Sequence, residues 1–121
     1  MNNQVEIPEI VKRELNNYIL DKHYRRHETS GSLTKAIILD DFYKLPYDFQ
    51  SGVYKAYLRE KGIGVYDQPY ANLQDARSFV SLKDVHLDGP WVSDKLPYQK
   101  AEIAAINAGL KLREQQLLEN K

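Results

Sequence analysis

The sequence PYQKAEIAAINAGLKLREQQLLE, residues 97–119, predicts a long helix that begins near Pro97, because proline is favoured in the first helical turn. At about 100° per residue, the large apolar side chains of this segment cluster on one side of the helix. They are Ile103, Ile106, Leu110 and Leu117. A second group clusters on almost the opposite side, and it consists of Ala101, Ala105, Ala108 and Leu112.

A helix at the surface of a domain needs only one apolar face. The second, alanine-rich face therefore predicts a close partner, which is either a second copy of the chain in a homodimer or another protein. Gly109 inside the helix costs about 1 kcal/mol relative to alanine, and packing against this glycine would explain that cost. The alternative is that alanine serves only as a strong helix former and that its face is half solvated.

Upstream of this segment, the spacing of apolar residues predicts three further helices, over residues 7–24, 33–45 and 49–61. For the second of them, a buried strand over residues 36–42 is the competing prediction. Asp48 is expected to cap the third helix, and Gly62 is expected to end it in the left-handed conformation that glycine tolerates.

Between the third helix and the terminal one, residues 64–70 are predicted to form a turn-rich connection, followed by a short helix over residues 72–81. The stretch VHLDGPWV, residues 85–92, alternates around Asp-Gly and predicts a small hairpin, with an ordered loop as the alternative. The expected fold is mainly α, a single domain over residues 1–121 with four to five helices and a short β-hairpin near residues 85–92.

Composition narrows the class of protein. The 121 residues contain no cysteine, which excludes a disulfide framework and a thiolate nucleophile. No apolar run is long enough to span a bilayer, and the first residues lack a signal-peptide pattern, so we expect a cytoplasmic protein without membrane contact. The 17 basic and 17 acidic residues cancel, so bulk electrostatics do not indicate a nucleic-acid partner.

Aromatic residues are concentrated in one part of the chain, with eight of thirteen between residues 42 and 70. Tyrosine provides rigid, amphipathic contact area, so interfaces are rich in it. The residues predicted to contact a partner protein are Tyr43, Tyr47, Tyr54, Tyr66 and Tyr70, while Phe49 and Tyr57 fit the core of the domain. The alternative is a tyrosine-rich core whose hydroxyls reach water.

A DNA-binding regulator is the second hypothesis. The predicted helices over 49–61 and 72–81 could form a helix-turn-helix, with the hairpin as a wing, although the connection is longer than usual. The basic residues that would contact nucleic acid are Lys22, Arg25, Arg26 and Arg77. For the cluster around residues 22–27, favourable placement at a helix C-terminus is the simpler explanation.

Patterns that carry catalysis or bind metal are weak. His23 and His27 have metal-ligand spacing, but the chain lacks an HExxH pattern and a convincing third ligand. His86, Asp88 and Ser93 are near one another in sequence, which is no evidence for a catalytic triad. We therefore predict a small non-enzymatic regulator, adaptor or inhibitor that binds protein and needs no cofactor or metal, a type that suits a phage or mobile-element accessory protein.

Overall fold

The computed structural model describes residues 4–23, 32–82 and 92–120, and in these residues four helices are combined with a three-stranded sheet. In chain order the elements are α1 (Glu9–His23), α2 (Ser32–Tyr43), α3 (Tyr47–Glu60), β1 (Ile63–Pro69), β2 (Asp75–Leu82), β3 (Ser93–Pro97) and α4 (Tyr98–Glu119). The prediction of a mainly helical fold is therefore wrong, because the chain has a mixed α and β architecture.

The sheet is antiparallel, with the strands in the order β1-β2-β3. In the first pair, Val65 lies opposite Val80 and Tyr66 lies opposite Phe79. The segment predicted as a turn-rich connection is β1, and most of the helix predicted over residues 72–81 is β2. The hairpin predicted near residues 85–92 falls, except for Val92, outside the described residues.

The strands were not predicted from the sequence, because polar residues occupy inward-facing positions of the sheet. Along each strand, alternate residues point to opposite faces. On β1 the inward series runs from Ile63 through Val65 to Asp67, whose side chain is only 8% exposed. On β2 the buried Ser78 takes such a position, and its hydroxyl shares a 2.6 Å hydrogen bond with the Ser93 hydroxyl of β3. The alternation of apolar and polar residues is therefore broken in both strands.

The helix predictions fared better. Residues 36–42 lie in α2, so the helical prediction for this segment is confirmed and the strand alternative is wrong. Gly62 has a φ of 82°, which confirms the left-handed residue at the end of α3. Pro46 rather than Asp48 precedes the first helical residue of α3, and no side chain caps that end. Asp48 lies in the first turn, where its charge still favours the helix dipole.

The two apolar sides of α4 are both buried within the chain. Ile106 and Leu110 belong to the hydrophobic core with residues of α1 and α3, while Ala101 and Ala105 are also fully buried. The helix packs against all three strands and against α1 and α3. The prediction that an alanine face is left for an external partner is therefore wrong at Ala101 and Ala105.

The reason is that the two sides are the flanks of one broad buried arc. Glu102 and Gly109 lie between them on the inward side, and neither marks an apolar surface in the sequence. A helix seated in a crevice between a sheet and other helices must bury more than half of its circumference. The conformational cost of a glycine inside α4 is explained by close packing, since Leu58, Val65 and Ile63 pack against Gly109.

A polar contact also joins three of the helices. Arg113 of α4 donates two hydrogen bonds, of 2.7 and 2.9 Å, to the carboxylate of Glu14 on α1. The hydroxyl of Tyr57 on α3 donates to the same carboxylate at 2.6 Å. Mainly because of the hydrogen bond from Arg113, the pKa of Glu14 lies below its usual value. This contact fixes the positions of α1, α3 and α4 relative to one another.

Candidate functional site

The candidate site is a groove of about 520 Å³ where the end of α2 meets the start of α3. Three of the five tyrosines predicted to bind a partner line it, namely Tyr43, Tyr47 and Tyr54. We call it the tyrosine groove, and its other described lining residues are Gln4, Val5, Ile7, Lys12, Gln50 and Gln99. The structure therefore brings together part of the predicted aromatic surface with residues of α1, α4 and the N-terminal segment.

The short connection between α2 and α3 positions the three rings. Tyr43 is the last residue of α2, and Tyr47 is the first of α3. The Gln50 side chain closes the connection by donating hydrogen bonds to the carbonyls of Tyr43, at 3.1 Å, and Leu45, at 2.7 Å. Gln50 also accepts a 2.6 Å hydrogen bond from the Tyr54 hydroxyl. One amide side chain thus links the backbone at Tyr43 to the hydroxyl of Tyr54.

Each tyrosine hydroxyl of the groove has a partner within the chain. The Tyr43 hydroxyl donates to Asn16 Oδ1 at 2.6 Å, and the Tyr47 hydroxyl donates to Glu102 Oε1 at 2.5 Å. Burial raises the pKa of Tyr43 to about 12, and it also raises those of Tyr47 and Tyr54. The hydroxyls are therefore neutral at physiological pH. The rings of Tyr43 and Tyr47 are partly exposed at the groove, whereas Tyr54 is only 2% exposed and belongs to the hydrophobic core, so the prediction that Tyr54 contacts a partner is wrong.

Lys12 is the charged residue among the described residues that line the groove, and it is exposed. Its Nζ lies 5.2 Å from the centroid of the Tyr43 ring, a distance at which the ring attracts a cation. The side-chain amides of Gln4 and Gln99 add hydrogen-bonding groups to the lining, whereas the Gln50 amide is used within the chain. The groove is thus suited to an anionic group together with polar backbone and apolar contacts.

A charged cluster lies behind Tyr47, and we call it the carboxylate cluster: Glu102, Lys55 and Asp67. Lys55 Nζ donates to Glu102 Oε2 and lies 3.9 Å from Asp67 Oδ1. A hydrogen bond with Asp67 is the main reason that the pKa of Tyr98 is raised to about 12. In the described part of the chain, Asp67 Oδ2 has no hydrogen-bond partner. The cluster holds the hydroxyl of Tyr47 in place, since that hydroxyl bonds Glu102.

The N-terminal segment, residues 4–7, forms one wall of the groove and is fastened to α4 by Asn107. Asn107 Oδ1 accepts a 2.8 Å hydrogen bond from the Glu6 backbone N–H, and Asn107 Nδ2 donates at 3.0 Å to the Gln4 carbonyl. Val5 and Ile7 pack against the hydrophobic core. The wall is therefore a short stretch of backbone held by one side-chain amide and two apolar side chains.

The other two tyrosines predicted to bind a partner do not line the groove. Tyr66 lies on the outer face of the sheet, where its ring stacks on that of Phe79 at a centroid distance of 5.2 Å. Tyr70 is at the end of β1, where its hydroxyl donates to Asp94 and accepts from Arg77. The predicted aromatic surface is thus divided between two sides of the molecule.

The remaining residues of the predicted α4 surface, Ala108 and Leu112, are partly buried, and Leu112 packs against the core. Because both residues are only partly exposed, the surface that this side of α4 offers to a second copy of the chain is narrow. A homodimer through this helix therefore stays a prediction without an exposed alanine face to support it.

The basic residues predicted to contact nucleic acid are not gathered in one described element. Lys22 is at the end of α1, 3.9 Å from Glu60, and Arg77 on β2 forms a 3.1 Å ion pair with Asp94. Arg25 and Arg26 lie outside the described residues. Because β2 occupies the place of the predicted second helix, the helix-turn-helix does not form at these positions. Nucleic-acid binding stays a prediction that lacks this structural basis.

Within residues 4–23, 32–82 and 92–120, no group of three or more metal-ligating side chains could hold an ion. Across the same part of the chain, no helix has the length and apolarity to cross a membrane.

Several residues of the site could not be predicted from the sequence, because they come from distant parts of the chain. They are Gln4, Lys12, Gln50, Gln99, Glu102 and Asn107. One of them left a signal. Glu102 falls on the inward arc of α4, and a charged residue on a buried face needs a partner. The others are ordinary surface residues by type, and only their convergence distinguishes them.

Comparison of the chain with models of protein families, with curated proteins and with solved structures finds no match. What the chain does is therefore inferred from its own residues.

Proposed function

We propose that this chain is a small non-enzymatic protein-binding module, acting as a regulator, adaptor or inhibitor, whose tyrosine groove holds an extended segment of a partner protein. The segment we propose carries an acidic side chain beside an apolar one. The observation that supports this proposal is the convergence of the partly exposed rings of Tyr43 and Tyr47 with Lys12 around one groove, whose floor includes the buried Tyr54.

The size of the groove supports a short segment as its ligand. Its volume of about 520 Å³ falls in the range of about 300–1,000 Å³ typical of small-ligand sites. A few residues of an extended chain fit such a space, whereas a folded domain would contact only its rim. Rigid rings lose little entropy when they bind, so they favour this kind of contact.

The charge of the lining supports an acidic partner rather than a nucleic acid. Lys12 is one cation among neutral tyrosine and glutamine side chains, enough to bind a carboxylate but not to follow a phosphate backbone. The side-chain amides of Gln4 and Gln99 can both donate and accept hydrogen bonds, as a peptide backbone requires.

The state of the polar groups supports binding rather than catalysis. The tyrosine hydroxyls are neutral and already donate to partners within the chain. Lys55, which lies behind Tyr47 and outside the groove lining, is held in the carboxylate cluster by Glu102. These groups are therefore committed to structure, and none of them is poised as a nucleophile or a general base.

The experiment is to pan the full chain against a displayed library of random heptapeptides and to measure the affinity of the enriched peptides. We expect enrichment of an acidic residue beside an apolar one. Lys12→Glu places like charges together and should weaken binding about tenfold or more.

Arg13→Glu is the matched control, because it makes the same change of charge at the next, exposed position of α1, outside the groove. It should leave the affinity within about twofold of the original, which is within 0.4 kcal/mol. The proposal is wrong if the library yields no binders, if the binders lack acidic residues, or if both variants weaken them equally.

A further inference from the structure

We propose that the N-terminal segment, which forms one wall of the tyrosine groove in this structure, is displaceable, and that an extended partner segment binds by taking the place of this wall at Asn107, beside the groove. This inference rests on the proposed function and adds to it a mode of backbone recognition and a form of autoinhibition.

The first reason is the geometry at Asn107. Its amide bonds the N–H of Glu6 and the carbonyl of Gln4, the two backbone groups on either side of Val5. Two hydrogen bonds of this kind bind an extended backbone regardless of its side chains. The site on α4 would therefore accept the backbone of another extended segment equally well.

The second reason is the pattern of the segment itself. Val5 and Ile7 are two residues apart and both pack against the core, whereas Glu6 between them is exposed. The segment thus has the composition proposed for the partner segment, an acidic residue beside apolar ones, and its apolar residues Val5 and Ile7 line the groove while Glu6 does not.

The third reason is that few buried contacts attach this segment to the rest of the chain. Both hydrogen bonds to Asn107 are exposed, and both apolar anchors are only partly buried. Residues 4–7 also lie next to α1, which begins at Glu9, so the hinge would be the short connection at Pro8. A segment attached in this way competes at an effective concentration of the order of millimolar.

Displacement can be measured with the full chain and a capped hexapeptide, NQVEIP, which copies residues 3–8. The peptide competes with its own copy in the chain, so half displacement is expected at about millimolar peptide. The readout is the NMR resonance of the Glu6 amide in the full chain, which should move towards its unbound position as the peptide is added.

A double variant separates displacement from a merely structural role. Val5→Ser with Ile7→Ser weakens the competitor within the chain and should improve the apparent affinity for the peptide about tenfold. Asn107→Ala removes the backbone contact and should weaken binding about tenfold in that background. If the segment only stabilised the fold, the double variant would lower the thermal stability and bind the peptide no better.

The inference is overturned if the peptide binds without moving the Glu6 resonance, or if the double variant shows no binding up to about 10 mM peptide. Either result leaves the proposed function to be judged by the panned heptapeptides and by Lys12→Glu. Failure of those peptides to bind would end the proposed function itself.

Discussion

Replacing Gly109 by alanine tests whether the close packing of α4 governs the stability of this protein. In an exposed helix interior this change is favourable by about 1 kcal/mol, because glycine loses more conformational freedom on folding. At Gly109, however, the new Cβ would lie 2.9 Å from Leu58 Cδ1 and 3.3 Å from Val65 Cγ2. Contacts this short require neighbouring atoms to move.

The surroundings leave little room for that movement. Leu58 is fully buried in the core, so its methyl group cannot swing into solvent. Forcing an extra carbon into a packed core costs about 1–3 kcal/mol. Subtracting the helical gain of about 1 kcal/mol leaves Gly109→Ala less stable by about 1 kcal/mol, with an upper limit of about 2 kcal/mol.

The matched control is Gly52→Ala. Gly52 lies inside α3, and a Cβ placed there meets nothing within 4 Å, so only the helical gain of about 1 kcal/mol applies. Urea unfolding of both variants should show opposite changes in the free energy of unfolding, separated by about 2 kcal/mol. If Gly109→Ala is stabilised as much as Gly52→Ala, the close contact of α4 with α3 and β1 is refuted.

Three further predictions concern pH and backbone strain. Glu14→Gln should lower the free energy of unfolding by about 1 kcal/mol at pH near 7, because the carboxylate bonded to Arg113 is partly exposed and screened. Since the pKa of Glu14 is lowered in the fold, this advantage of the original protein should fade as the pH falls below the unfolded value of 4.5, and urea unfolding at successively lower pH should show the two stabilities converging. The pKa of Tyr43 is raised from 10.0 to about 12, so its contribution is complete below pH 10 and is lost as the pH rises towards 12. Tyr43→Phe should therefore reduce the alkaline fall in melting temperature, and an unchanged pH dependence would contradict the burial of this hydroxyl. Leu73 has a φ of 62° and is 76% exposed, so Leu73→Asn should raise the free energy of unfolding by about 0.5–1 kcal/mol by relieving backbone strain. Leu73→Val should lower it, and the opposite order in a thermal melt would disprove the left-handed conformation.

The helices were largely encoded in local sequence. α1 and α2 coincide with the predicted segments to within two residues at each end, and α4 begins one residue after Pro97. This succeeded because the helical repeat and the preference of glycine for positive φ act over a few neighbouring residues. The direction in which side chains point was harder to predict: Tyr57 is buried in the core as predicted, whereas the same prediction for Phe49 is wrong, because Phe49 is 66% exposed.

The sheet depended on contacts between distant residues. β1 and β2 bury Asp67 and Ser78 where an ordinary strand would place apolar side chains, and they expose Tyr66 beside Phe79. Only pairing with neighbouring strands and with the carboxylate cluster makes these positions acceptable. A local pattern cannot show such pairing, so the apolar spacing of residues 72–81 was mistaken for a helix.

The same distinction applies to the candidate site. The sequence alone determined that the chain is rich in tyrosine near residues 42–70, balanced in charge and free of cysteine. The tertiary structure decided which tyrosines share a groove, and it brought Asn107 to the backbone of residues 4–7 across about a hundred positions of sequence. Composition and helical periodicity are properties of neighbouring residues, whereas a groove exists only after separate elements have packed against one another.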